Sequence, residues 1–292
     1  MHFHFCTANH TVSARQTLWD MYHWFRAGLT ALGHTVTISA EHADPGAVNL
    51  FWEYFAGDAG AALRESGLRY GLIVTEVIAD KTINGQHSNE YRQRWAGFDT
   101  ARSGAQFMWS MIESNIPQLS PFAASAYVEL GFAEELCRDQ AVVPDLDFCF
   151  FGVATPYRLA VIDRFRSRGI EVFWPRRQLS TVEERDRTIS RTKIGLCLKI
   201  DSQWPVPSPT RIGLLLLARR GVAAEPVPQP TRQSALVPMA GSDQDIVDFA
   251  LERLNGNWQA EAELAFERYR ETMPMKTIME RVLDLTIAPS SS

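Results

Sequence analysis

The stretch Asp147–Pro175, "DFCFFGVATPYRLAVIDRFRSRGIEVFWP", runs from an apolar segment through a glycine and a short polar loop into a helical stretch, then a second apolar segment. Leu159, Ile162 and Phe165, with Val161, supply the apolar face of that helix. "RSRG" ends it and "IEVFW" is the next strand. Strand, loop, helix and strand in this order make a β-α-β unit. Gly152 stands where the strand hands over to the helix, and backbone N–H groups and the helix dipole favour an anion there. The loop "FGVATPYR" lacks the glycine spacing of a dinucleotide loop or a Walker loop.

The same alternation extends in both directions. Upstream, strands are expected over 2–8, 34–40, 47–53 and 70–78, with helices over 16–33 and 61–67. In the first helix Leu18, Met21, Tyr22, Phe25, Leu29 and Leu32 repeat at helical spacing, and Gly33 is placed as a C-terminal cap. The polar stretch 80–104 predicts a loop over a site before it becomes helical. A helix is expected over 105–119, a strand-helix piece over 125–136, and a linker over 138–145 punctuated by Pro144. Downstream, helices are expected over 181–190 (Thr181 and Glu184 forming a capping box), 208–221, 243–255, 257–273 and 274–287, with strands over 192–198 and 222–227. Alternating strands and helices imply parallel sheets with right-handed crossovers.

Composition bounds the function. The chain has 292 residues, 46% hydrophobic and 22% charged, with a net charge of -5. That length suits one large or two medium domains, and the acidic balance argues against a nucleic-acid-coating protein. Cys6, Cys137, Cys149 and Cys197 have neither zinc-knuckle nor redox-pair spacing and read as reduced thiols. No signal peptide or membrane span is expected, so the chain reads as cytoplasmic. "APSSS" reads as a frayed tail.

Two α/β halves of similar size, with terminal helices returning to the first, resemble the GT-B glycosyltransferases of the family 1 and family 4 type, including their CgeB-like C-terminal domains. "FRAGLTALGHTVTIS" resembles their N-terminal "GL..LGH.V" element. "DFCFFGVATPYRLAVIDRFRSRGIEVF" looks like the first unit of the nucleotide-sugar domain, and "ERDRTISRTKIGLCLK" and "SPTRIGLLLLARRGVAAEP" are similar to its later segments. The related strand commonly carries an Asn that "KIGLCLKIDSQWP" lacks, and no glutamate pair spaced by seven residues surrounds "GVAAEP". The resemblance implies two Rossmann-like domains facing across a cleft: residues 1–140 for the acceptor, 146–255 for the nucleotide-sugar, and helices over 256–287 packing back toward the first domain. It also implies sugar transfer from a nucleotide-diphosphate sugar to an unknown acceptor, with no metal and no separate cofactor. A nucleotide-sugar epimerase or hydrolase, or a non-catalytic binding module, are the alternatives.

Candidate site residues follow from place and chemistry. Gly152 lets the backbone approach a diphosphate, and Arg158 can fork onto its oxygens. Ser208, Thr210 and Arg211 lie in the first turn of a helix. A cation there opposes the dipole, so Arg211 needs a phosphate or a partner such as Glu225. Glu225, at the carboxyl end of a strand, suits ribose hydroxyls. His10, just past the first strand, and Glu76, at the end of the fourth, are candidate bases for the acceptor. Glu76 can instead pair with Arg92 or Arg94, and Glu53 is a weaker case of the same kind. His2, His4 and His10 offer a three-histidine metal arrangement, against the commoner reading of part-exposed histidines. Asp145 and Asp147 precede a strand instead of ending one, which sets aside a metal there. Trp95, Trp109 and Trp204 are candidates for stacking on sugar or base, or for ordinary packing.

Overall fold

A computed structural model describes residues 1–7, 12–55, 57–137, 142–174 and 182–287. The chain forms two compact units, Met1–Glu129 with the chain from Met275 onward, and Leu130–Pro274.

The first unit begins with β1 (His2–Cys6), α1 (Val12–Ala31), β2 (Thr35–Ser39), β3 (Val48–Trp52), α2 (Ala59–Glu65) and β4 (Tyr70–Val74). A short hairpin, β5 (Ile78–Ala79) and β6 (Thr82–Ile83), leads to α3 (Asn89–Arg102), β7 (Phe107–Ser110), α4 (Ile116–Leu119) and β8 (Ala124–Tyr127). Six strands make one parallel sheet in the order β2-β1-β3-β4-β7-β8. "VNLFW" and "YGLIV" are buried throughout, as central strands covered on both faces should be. Gly33 takes φ +80° beyond α1, and the next amide, on His34, returns to the Leu29 carbonyl at 3.1 Å. That closes the helix in the left-handed conformation glycine adopts without strain.

Three local expectations change here. Residues 105–119 are not one helix: Phe107–Ser110 is the fifth strand of the sheet, fully buried, and only Ile116–Leu119 is α-helical. A short apolar run buried on both faces has no period to separate strand from helix. The strand expected over 70–78 stops at Val74, because Asn115 captures the chain beyond it through the Glu76 carbonyl and the Ile78 amide. The polar stretch 80–104 forms part of the hairpin and α3, capped by Ser88.

The second unit holds β9 (Leu146–Cys149), α5 (Pro156–Ser167), β10 (Val172–Phe173), α6 (Val182–Arg191), β11 (Thr192–Cys197), α7 (Pro209–Leu217), β12 (Gly221–Ala224), α8 (Ile246–Asn255) and α9 (Trp258–Thr272). Its four-stranded sheet, β10-β9-β11-β12, is parallel throughout. Phe148, Phe150, Ile162, Phe165, Ile194 and Leu196 form the centre of its core.

The division falls at Glu129–Leu130, earlier than the boundary expected near residue 140. Leu130 and Phe132 belong to the second unit because Gln233 and Tyr269 both donate to the Leu130 carbonyl, and Phe132 stacks edge-on against Phe266 and Tyr269. The terminal helices also part company. α9 stays in the second unit, with Trp258 in its core. α10 (Met275–Thr286) packs on α1 and β8, and Thr286 accepts from the Trp109 indole at 3.0 Å. Thr181 and "APSSS" lie outside the described residues. Among the described residues no helix is long and apolar enough to cross a membrane.

Candidate functional site

In parallel α/β sheets, ligands meet the carboxyl ends of the strands, where helix N-termini gather. In the second unit β9 and β11 each deliver the chain to such a helix. Thr155 caps α5: its hydroxyl accepts from the Arg158 amide and donates to the Ile200 carbonyl at 2.8 Å. That bond ties the start of α5 to the loop after β11. Pro209 opens α7 behind Ser208, whose side chain makes no cap bond. Among the described residues the hydroxyls of Ser208 and Thr210 are not hydrogen-bonded, which leaves both available to a ligand.

Two arginines are buried under the β9–α5 loop. Arg158 donates to the carbonyls of Val153, Leu198 and Lys199 at 2.8–3.1 Å, so its guanidinium serves backbone acceptors. Arg211 donates to the carbonyls of Phe151 (3.0 Å) and Leu198 (3.4 Å) and lies over the Phe150 ring, 4.8 Å from its centroid. Its Nη2 has no acceptor among the described residues. Arg211 does not bond Glu225, the protein partner considered from sequence. Burial, and next the charge of Arg211, pull Arg158 down to about 9; burial also lowers Arg211. Two desolvated cations side by side disfavour their own charge. An anion at this loop would relieve both.

Glu225 follows β12 directly and is buried. Its Oε1 accepts from the Tyr157 hydroxyl and its Oε2 from the Lys199 amide, both at 2.6 Å. Burial raises its pKa against these two bonds. The Lys199 side chain is buried too, with Nζ donating to Asp243 (2.6 Å) and to the Ser202 carbonyl (3.2 Å). Tyr157, Lys199 and Asp243 escaped sequence reasoning. Lys199 had a signal: a lysine ending the apolar strand "IGLCL" at the ligand side of a parallel sheet. Arg158, Lys199, Trp204, Ser208 and Glu225 line one open hollow.

The first unit carries a second polar cluster at the carboxyl ends of β3 and β4. Glu53, one residue beyond β3, is buried; its Oε1 accepts from Thr75 at 2.6 Å and its Oε2 has no partner among the described residues. Burial and the nearby Glu76 carboxylate push Glu53 up to about 7. Glu76 accepts from Asn84 and from Arg94 (3.3 Å), so Arg94 is its partner, while Arg92 bonds the His87 carbonyl. Arg94 sits 4.8 Å from the Tyr91 ring centroid and 5.1 Å from that of Tyr54. The Glu53 carboxyl is thereby biased toward its acid form. His10 lies outside the described residues.

The remaining candidates take structural places. Asp145 pairs with Arg191 through both oxygens and Asp147 with Lys193, so both acids are held in surface ion pairs. Trp109 is core, and Trp95 lies 4.9 Å from the Arg102 guanidinium. Cys149 and Cys197 are buried free thiols.

No family model and no curated protein matches the chain. Solved structures do. An alpha-glucosyltransferase in complex with UDP-glucose and DNA containing an abasic site is similar at 10% identity, with a TM-score of 0.63 and 98% of each chain covered. AviGT4, a glycosyltransferase involved in avilamycin A biosynthesis, is similar at 12% identity, with a TM-score of 0.57, covering 98% of this chain and 97% of that one. The two parallel α/β units have the GT-B glycosyltransferase fold.

Proposed function

We propose that this chain, built on the GT-B fold, moves a sugar from a nucleoside diphosphate sugar to an acceptor hydroxyl or amine. The observation that carries the donor half is Arg211: a buried guanidinium with an unclaimed Nη2, under a glycine loop between two helix starts. The N-terminal amides of α5 and α7 and Arg211 meet the diphosphate, and Ser208 and Thr210 add hydroxyl donors. Glu225, steadied by Tyr157 and the Lys199 amide, keeps lone pairs for ribose hydroxyls. This reading gives the donor site no metal ligand. A uridine diphosphate sugar is the first donor to test, since a similar structure holds UDP-glucose.

Transfer joins the acceptor oxygen or nitrogen to the anomeric carbon as the bond from that carbon to the diphosphate breaks. Preorganised positive groups favour the charge gained by the leaving diphosphate. In the first unit the group suited to take up the acceptor proton is Glu53, beside Glu76, which Asn84 and Arg94 hold in place. The net charge of -5 weighs against a nucleic-acid acceptor.

A thermal-shift screen with uridine, guanosine and thymidine diphosphates and their sugars tests the reading. A ligand at 100 times its dissociation constant stabilises by about 2.7 kcal/mol. Donor breakdown that needs no acceptor would favour an epimerase or hydrolase, and silence toward every nucleotide a non-catalytic module.

A further inference from the structure

A separate polar cluster lies where β2 passes to β3. The sheet order β2-β1-β3 makes this connection cross β1, and residues 40–47 do so without a helix. His2 and His4 project from the same face of β1, beneath that crossing. Asp44 comes from the crossing itself.

Their hydrogen atoms can be followed one by one. His4 Nε2 lies 3.0 Å from the His42 carbonyl, which only accepts, so this nitrogen carries hydrogen. In neutral His4, Nδ1 is then bare and accepts from the Thr37 hydroxyl at 2.8 Å. The one Thr37 hydrogen is thus spent. His2 Nε2, also 2.8 Å from Thr37 Oγ1, must donate. Neutral His2 then has no hydrogen on Nδ1, and this bare lone pair faces Asp44 Oδ2 at 3.6 Å. Two acceptors then face each other, an arrangement that a cation would satisfy.

We propose that His2, His4 and Asp44 bind a divalent transition metal of the zinc class. Donor atoms of the three residues lie within 4.8 Å of one another. Two donors bonded to one tetrahedral zinc at about 2.0–2.1 Å sit about 3.4 Å apart, close to the His2–Asp44 spacing. Imidazoles with a carboxylate suit zinc better than calcium or magnesium. Binding exchanges the Thr37 hydroxyl for metal at His4 Nδ1. It leaves the Nε2–H bond to the His42 carbonyl, the outer contact by which metal-bound histidines are oriented. Asp44 is already steadied, since its Oδ1 accepts from the Gly46 amide at 2.8 Å. Three protein ligands leave a position for water, and the metal staples the helix-less crossing to β1.

The test is calorimetric titration of chelator-treated full-length chain with zinc, alongside His2→Gln and Asp44→Asn. His2 and Asp44 are part-exposed, at 32% and 36% of the side chain, so both variants keep the core. Wild type should take up one zinc per chain, with affinity lower by about tenfold or more in either variant. Cobalt should give a d–d spectrum without a thiolate charge-transfer band, and should lose it in His2→Gln. Absence of zinc uptake by wild type, or uptake unchanged in both variants, overturns the proposal.

Discussion

A β-carbon added at Gly152 would lie 2.7 Å from Nη2 of Arg211 and 2.9 Å from Cζ of Phe150. The glycine is therefore the space into which Arg211 is built. Gly152→Ala should push the guanidinium off the loop, at a stability cost of about 1–3 kcal/mol from overpacking. Diphosphate affinity should fall while free nucleoside binding changes little. Chemical denaturation and titration with both ligands check this; equal losses for both ligands would contradict it.

Glu53 should make both stability and turnover depend on pH. Its carboxyl titrates near 7 in the folded chain against an ordinary value of 4.5. Between those values the folded chain holds a proton that the unfolded chain has released. The stabilisation is full below 4.5, declines as pH rises, and is gone above about 7, at about 1.4 kcal/mol per pH unit. Glu53→Gln should abolish that slope in denaturation measured from pH 5 to 8. Because a base must be deprotonated to act, turnover should rise through pH 7 in wild type and lose that limb in the variant. A wild-type slope retained by Glu53→Gln would remove Glu53 from the account.

The parallel β-α-β units were legible in the sequence because their strands are apolar runs and their helices carry a periodic face. Phe107–Ser110 was not, since "FMWSMI" is apolar on both faces once buried in mid-sheet. In the candidate site, the positions of Gly152, Ser208, Arg211 and Glu225 near strand ends and helix starts were readable from the sequence. Tyr157 and Asp243 were not, because what marks them is contact with residues far along the chain: Tyr157 meets Glu225, 68 positions away. Glu53 and Glu76 read as separate acids along the chain, and only the fold sets them near each other.

The strand assignment for 107–110 has its own consequence. Main-chain amides there bond into β4 and β8 on either side, so they should exchange with solvent among the slowest in the first unit. Trp109→Ala should cost about 3–5 kcal/mol, as for other fully buried aromatics. Fast exchange across Phe107–Ser110, measured by native-state hydrogen exchange, would contradict the sheet order.

Lys199 should act by holding its neighbours in place. Its Nζ is held by Asp243 and the Ser202 carbonyl, and its amide holds Glu225. Asp243→Asn should loosen the lysine and weaken nucleoside diphosphate binding by about 1 kcal/mol, the scale of one hydrogen bond, with the fold retained. Titration with uridine diphosphate reads the change, and an unaltered affinity would take Asp243 out of the site.

Diphosphate binding at the loop after β9 should depend on Arg211 above any other residue. Isothermal titration of wild type and Arg211→Met with uridine diphosphate and with uridine tests it directly, at a temperature where both proteins are folded. Wild type should prefer the diphosphate, and Arg211→Met should lose about 1.5–3 kcal/mol of diphosphate binding, the worth of a charged hydrogen bond, with uridine nearly unaffected. Equal diphosphate affinity in the two proteins would contradict it.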